Sequence, residues 1–252
     1  MTTILIVEDE DALAAGLKFN FEQEGYEVLL AGDGPTALQL FQAASPPVSL
    51  VILDLMLPGM SGYETCTAIR SLDKLVPVLV LSARTLSEDK MHAFDCGTDQ
   101  YITKPFALPE LLNRVKNLLE RHRTLLQSHE TSGEQPGSAQ SVAEFGNVKV
   151  NFRTFEVLVG GRRHNLTTLE MQLLRYFIEH PNEVLSRQKI LEHVWDETAD
   201  VTTRSIDNFV LRLRKVIEPD PAQPKHILSV RGTGYRFVPG ESADGRAPKE
   251  AG

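Results

Sequence analysis

Val48-Ser49-Leu50-Val51-Ile52-Leu53-Asp54-Leu55-Met56-Leu57-Pro58-Gly59-Met60-Ser61-Gly62 decides how the first half of this 252-residue chain folds. The opening run is apolar, lacks the alternation of a half-exposed strand and ends in Pro/Gly turn signals. That is the pattern of a strand buried on both faces, as in a parallel sheet covered by helices. Open α/β sheets bind ligands beyond the carboxyl ends of their strands, and Asp54 stands at such an end.

Outward from this stretch, strand-like runs alternate with helical patterns. Strands are expected at Ile4 to Val7, Val28 to Ala31, Leu50 to Leu53, Val78 to Leu81 and Tyr101 to Thr103. Leu13, Leu17 and Phe21 give a helical face between the first two. Further helices fit Thr36 to Ala44, Gly62 to Ser71, Ser87 to Cys96 and Leu108 to Arg121. The result is (βα)5, an α/β sheet wound on both sides. Its strand ends carry Glu8-Asp9, Asp54, Ser82 and Lys104-Pro105. Each is an ordinary cap or turn residue alone, but together they bring carboxylates, a hydroxyl and an ammonium to one edge. Crowded carboxylates repel unless a cation joins them, and hard oxygen ligands suit Mg²⁺. With the charge neutralised, Asp54 can attack a phosphoryl donor in line, Lys104 can stabilise equatorial oxygens and Ser82 can donate a hydrogen bond.

Charge divides the chain. Residues 1 to 120 hold 8 Lys+Arg against 17 Asp+Glu, net −9, whereas 144 to 240 hold 14 against 12, net +2. Between them, Gln127 to Ser141 is almost devoid of bulky apolar residues and cannot bury enough surface to order itself. The expected organisation is an α/β domain over 1–122, a flexible linker over 123–143, a second domain over 144–240 and a disordered tail over 241–252. Two cysteines, Cys66 and Cys96, without a CxxC or Cys/His cluster give neither a disulfide framework nor a zinc site. The basic n-region of a leader is missing and no apolar run is long enough for a membrane span, so a cytoplasmic protein without membrane association is expected.

In the second half, short alternating runs from Phe145 to Val159 with a Gly160-Gly161 turn read as a small antiparallel sheet. Thr167 and Glu170 form a capping box opening a helix over Leu169 to Glu179. Ser186 starts a second helix through about Trp195, and Thr202 to Ser205 a third running to about Ile217. Along the third, Ile206, Phe209, Val210, Leu213 and Ile217 make one apolar stripe, with Arg204, Asn208, Leu211, Arg212 and Lys215 towards the other side. A hairpin with a Gly232-Thr233-Gly234 tip follows, carrying Arg231. Three helices and flanking strands fit an α+β winged helix, with a helix for the major groove of duplex DNA and an Arg-bearing hairpin for the minor groove.

Glu8-Asp9, Asp54 with Leu57 to Gly62, Leu81-Ser82-Ala83 and Lys104-Pro105-Phe106 resemble the receiver domain of bacterial two-component response regulators. Leu166-Thr167, Glu170, Leu173-Leu174, Leu211-Arg212, Arg214-Lys215 and Val230 to Phe237 resemble the effector domain of the OmpR/PhoB family. The resemblance implies a transcription regulator controlled by phosphorylation. A sensor histidine kinase would donate to Asp54, and Glu8, Asp9, Asp54 and the backbone carbonyl of Met56 would arrange Mg²⁺. Lys104, reached through a cis bond to Pro105, would pair with the phosphoryl. Ser82 would move and the ring of Tyr101 turn inward as the switch. DNA contacts would fall on Arg204, Ser205, Asn208, Arg212, Arg214, Ser229 and Arg231, and the loop from Trp195 to Thr203 would face RNA polymerase. Homodimerisation on phosphorylation would use Lys90, Asp99, Glu110, Arg114 and Arg121, with Gln100 standing where relatives carry an acid. An aspartyl phosphohydrolase is the rival enzyme reading, but it needs a second acid two residues after its nucleophile, and Met56 is there instead. A phosphorylation-independent DNA binder is the other alternative.

Overall fold

A computed structural model describes residues 2–127, 142–195 and 203–240. Residues 128–141 of the linker expected over 123–143, the expected tail and most of the loop expected to face RNA polymerase lie outside the described residues, while 123–127 belong to a helix and 142–143 to a strand. The chain divides into two compact units, Met1–Thr124 and Leu125–Gly252.

The first unit is a parallel sheet of order β2-β1-β3-β4-β5, made of β1 (Thr3–Val7), β2 (Glu27–Ala31), β3 (Val48–Asp54), β4 (Val78–Ser82) and β5 (Gln100–Thr103). Alternate side chains divide between its faces, as a period of two requires. Ile4, Ile6, Leu50, Ile52, Leu79, Leu81 and Ile102 pack with Leu17 and Phe21 of α1 (Asp11–Gln23) and with Leu111, Val115 and Leu118 of α5 (Leu108–Gln127). Leu5, Val7, Val51, Leu53 and Val78 pack the other way, with Ala37 of α2 (Gly34–Ala43) and with Cys66 and Ile69 of α3 (Gly62–Leu72). The remaining helix, α4, spans Ser87–Asp95. Because β1 lies between β2 and β3, the chain reverses its winding beside β1, and the switch point opens at the carboxyl ends of β1 and β3.

Local sequence sets the entry to α3. Ser61 Oγ accepts from the Glu64 N–H, and Glu64 Oε2 accepts from the Ser61 N–H at 2.9 Å, a capping box. A Cβ on Gly62 would stand 2.1 Å from the Asp54 carbonyl oxygen, so only glycine lets α3 start directly against the end of β3.

The second unit opens with a four-stranded antiparallel sheet, β6 (Val142–Phe145), β7 (Val148–Asn151), β8 (Glu156–Val159) and β9 (Arg162–Asn165). Gly160 and Gly161, at φ +54 and +85, make the two-residue turn between β8 and β9. Then come α6 (Thr168–Glu179), β10 (Val184–Ser186), α7 (Arg187–Val194), α8 (Thr203–Ile217), β11 (Ile227–Val230) and β12 (Gly234–Phe237), the last strand pairing with both β10 and β11. The Thr167/Glu170 capping box opens α6 as expected. Ile206, Phe209, Val210, Leu213 and Ile217 are all buried, so the apolar stripe of α8 faces the core.

The structure also extends the reading. α5 runs six residues past the expected Arg121. Arg162-Arg163-His164-Asn165 has no apolar period, so β9 gives no sequence signal; its pairing to β8 is carried by backbone. β10 has only three residues, too few to show a period.

Candidate functional site

The strand ends of the first unit meet as expected. Single ligand atoms of Glu8, Asp9 and Asp54 lie within 4.8 Å of one another, Glu8 and Asp54 buried and Asp9 exposed. Lys104 reaches in from beyond β5 through a cis peptide to Pro105. Its Nζ donates to Glu8 Oε2 at 2.7 Å and to Asp54 Oδ2 at 2.5 Å, while the Met56 N–H donates to Asp54 Oδ1 at 2.8 Å.

Burial dominates Glu8 and raises its pKa above the ordinary 4.5, even though Lys104 pulls it down. For Lys104 burial acts downward, but its hydrogen bonds to Asp54 and Glu8 outweigh this and raise the pKa above 10.5. The two partners thus differ in which effect wins. The raised Glu8 direction follows from its nearly complete enclosure, and the raised Lys104 direction from its two carboxylate partners. A hard-oxygen cluster with one exposed member fits a small divalent cation. Receiver domains bind Mg²⁺ at such an acidic pocket.

Ser82, at the end of β4, is fully buried, and its Oγ accepts from the Arg84 N–H at 3.2 Å. Tyr101 is also fully buried and donates its hydroxyl to the Arg84 carbonyl at 2.8 Å, with Lys90 Nζ 5.7 Å from its ring centre. Burial raises the Tyr101 pKa, opposed by a hydrogen bond with the Ser82 side chain. The ring is therefore already inward, because the carbonyl of Arg84 supplies an acceptor that pays for enclosing the phenol.

The surface expected to form a dimer face is partly enclosed. Asp99 is buried: its Oδ2 accepts from Arg70 Nη2 at 2.7 Å and from the Val78 N–H at 2.7 Å. Arg70 also donates to the Gly97 and Val76 carbonyls. Asp99 therefore braces α3 against β4 and β5 instead of standing at the surface. Arg114 is buried and pairs with Glu110 of its own helix at 2.5 Å. Gln100 is buried, Lys90 and Arg121 are half-buried, and the Glu110 side chain is 42% exposed.

In the second unit several residues expected to touch DNA face inward. Ser205 is buried. Arg212 Nε pairs with Glu170 Oε1 at 2.9 Å, and its guanidinium lies 4.1 Å from the Phe209 ring centre. Arg214 donates to the Ile227 carbonyl from Nε at 3.0 Å and from Nη2 at 2.6 Å, and to Ser229 Oγ at 3.0 Å. These arginines hold α8 to α6 and to the hairpin. Asn208 is half-buried, whereas Lys215 and Arg231 are exposed. Arg231 sits in the hairpin turn beside Gly232 at φ +76. The side chain of Arg204 lies outside the described residues.

Sequence reasoning missed three anchors. Asp207 Oδ1 accepts from Arg187 Nε at 2.9 Å and from the Tyr235 hydroxyl at 2.6 Å, joining α7, α8 and β12. Glu218 accepts backbone N–H groups of Lys225, His226 and Ile227, each at 2.8 Å. Glu170 serves Arg212 besides its cap. Only the cap has a spacing visible in sequence.

A doubly wound α/β unit with a strand-end acidic pocket, followed in the same chain by a winged helix, defines a class of signal-responsive DNA-binding regulators. The family model of the response regulator receiver domain matches residues 4–116, and that of the transcriptional regulatory protein C terminal matches 161–237. The sensory transduction protein RegX3 of Mycolicibacterium smegmatis is 38% identical over 237 residues, 94% of this chain and 99% of that protein. The transcriptional regulatory protein YvrH of Bacillus subtilis is 39% identical over 238 residues, covering 94% and 95%. A solved structure of a RitR mutant has the same fold, with a TM-score of 0.71 at 23% identity, covering 95% of this chain and 100% of that one. The chain belongs to the response regulators of the OmpR/PhoB type, DNA-binding transcriptional regulators whose family works with histidine kinases. No helix among the described residues is long and apolar enough to cross a membrane.

Proposed function

We propose that Asp54 accepts a phosphoryl group from a sensor histidine kinase and that the resulting aspartyl phosphate controls DNA binding by the winged helix. The observation that carries this reading is the Lys104 ammonium held between Asp54 and Glu8, beside a third carboxylate from Asp9. An Asp54 oxygen attacks phosphorus in line, the bond from phosphorus to the donor's imidazole nitrogen breaks, and the nitrogen keeps the electron pair. Glu8, Asp9 and Asp54, with the Met56 carbonyl, would hold Mg²⁺, which supplies charge neutralisation to the transferring oxygens. Lys104 then exchanges its contact with Asp54 for one with the phosphoryl oxygens, and Ser82 donates its hydroxyl to them. Water slowly removes the phosphate, and no small substrate turns over. This function assigns the protein to the cytoplasm, where kinase, DNA and RNA polymerase meet.

On the DNA side, Arg204, Asn208 and Arg231 are the contacts this reading retains, with Arg212, Arg214 and Ser229 positioning them. Net +2 on the effector unit provides few phosphate contacts, so a dimer on two half-sites supplies the affinity one copy lacks. Lys90, Glu110 and Arg121 remain the proposed dimer face, with the buried Arg114 orienting Glu110 from within the helix.

Phosphoramidate with Mg²⁺ should add one phosphate to wild type and none to Asp54→Asn, read by intact-protein mass. Equal labelling of the variant rejects the acceptor. Gel shifts should tighten on phosphorylation, and identical shifts for both forms would favour a phosphorylation-independent binder.

A further inference from the structure

Leu211 is 45% exposed, although it lies at the centre of the recognition helix. On α8 it shares the outward stripe with Asn208, three residues before it, and Lys215, four residues after it, the spacing that places side chains on one face. Arginines that could have carried charge beside it turn away, Arg212 to Glu170 and Arg214 to the Ile227 carbonyl. A single leucine between a carboxamide and an ammonium is too small for a protein-docking patch. Leu211 and Asn208 do, however, complement what an A·T base pair presents in the major groove. Thymine alone puts a methyl group in the major groove, while adenine offers the donor and acceptor pair that an asparagine matches.

We infer that Leu211 is a specificity-determining residue that packs on the 5-methyl group of a thymine, with Asn208 reading an adenine in the same or the adjacent base pair. Three residues of helix rise about 4.5 Å, close to one base step of about 3.4 Å, so both side chains can address one short A·T element. Lys215, one turn further on, is left for a phosphate. The inference rests on α8 entering the major groove, and it adds the base that the helix selects.

Full-length protein treated with phosphoramidate and Mg²⁺ is used to enrich duplexes from a random pool, and each thymine of the enriched duplex is replaced in turn by deoxyuridine. Wild type should lose about fourfold in affinity at one thymine per half-site, the worth of one buried methyl group. Leu211→Ala should bind the thymine and deoxyuridine forms equally at that position, with Trp195 fluorescence confirming that it is folded. An enriched duplex indifferent to deoxyuridine throughout, or a Leu211→Ala protein as sensitive as wild type, overturns the inference alone. A wild-type protein that enriches no duplex overturns it together with the groove assignment.

Discussion

Replacing Asp99 by alanine separates a structural brace from a surface contact. In the structure the Asp99 carboxylate is enclosed, receives both Arg70 Nη2 and the Val78 N–H, and leaves Arg70 buried beside it. Asp99→Ala strips a buried guanidinium of its counter-charge and a buried N–H of its acceptor, a loss of about 3–5 kcal/mol. For a unit of 124 residues that lowers the transition by about 10–20 °C. Asp99→Asn keeps an acceptor for Val78 and should lose less. Pairing Asp99→Leu with Arg70→Met should cost less than the sum of the two single changes, by on the order of 1–3 kcal/mol. Calorimetry of the full chain reads the first unit, while the sole tryptophan, Trp195, follows the second by fluorescence and should not move. A variant that melts within about 2 °C of wild type but associates more weakly would refute the brace and return Asp99 to the dimer face.

Three further outcomes follow from the sites. Glu8, held above 4.5 by burial, favours its protonated form in the folded state. Its contribution to stability is therefore full below 4.5 and lost as pH rises through the raised value, while Mg²⁺ affinity moves oppositely and falls on acidification before an ordinary carboxylate would titrate. Titrations on acidification from neutral pH should show Mg²⁺ affinity falling earlier for wild type than for Glu8→Gln, and parallel profiles would contradict it. Arg212→Ala should destabilise the second unit by about 1.5–3 kcal/mol, seen in a urea melt followed at Trp195, and weaken DNA binding evenly across sequences. An unchanged melt with an altered base preference would instead make Arg212 a base contact. Gly62→Ala forces a Cβ against the Asp54 carbonyl and should lower the first transition and slow phosphorylation; a variant that melts and labels like wild type would show the loop can yield.

Much of this molecule is legible because its signals are local. Asp54 at the end of a buried run, the Thr167/Glu170 cap and the stripe of α8 each declare themselves within about four turns of chain. Glu8, Asp9, Ser82 and Lys104 come together because parallel strands present their carboxyl ends at one edge. The inward partners were not legible, since Arg70 and Asp99 are 29 residues apart and Arg212 and Glu170 are 42 apart, with no spacing to join them. A charged residue reads as solvent-facing until its partner is found. Nor does sequence tell that the Tyr101 ring already points inward, because the Arg84 carbonyl that gives its hydroxyl a destination lies 17 residues away.

The last turn of α8 grips the start of the hairpin with both signs of charge. Arg214 takes the carbonyl of Ile227, and Glu218 takes its N–H together with those of His226 and Lys225. Helix and hairpin consequently behave as the fixed jaws of a caliper whose gap is set during folding. A duplex held by both helix and hairpin would therefore meet a spacing fixed by the protein, and the ease with which its grooves bend to that spacing would enter the binding free energy.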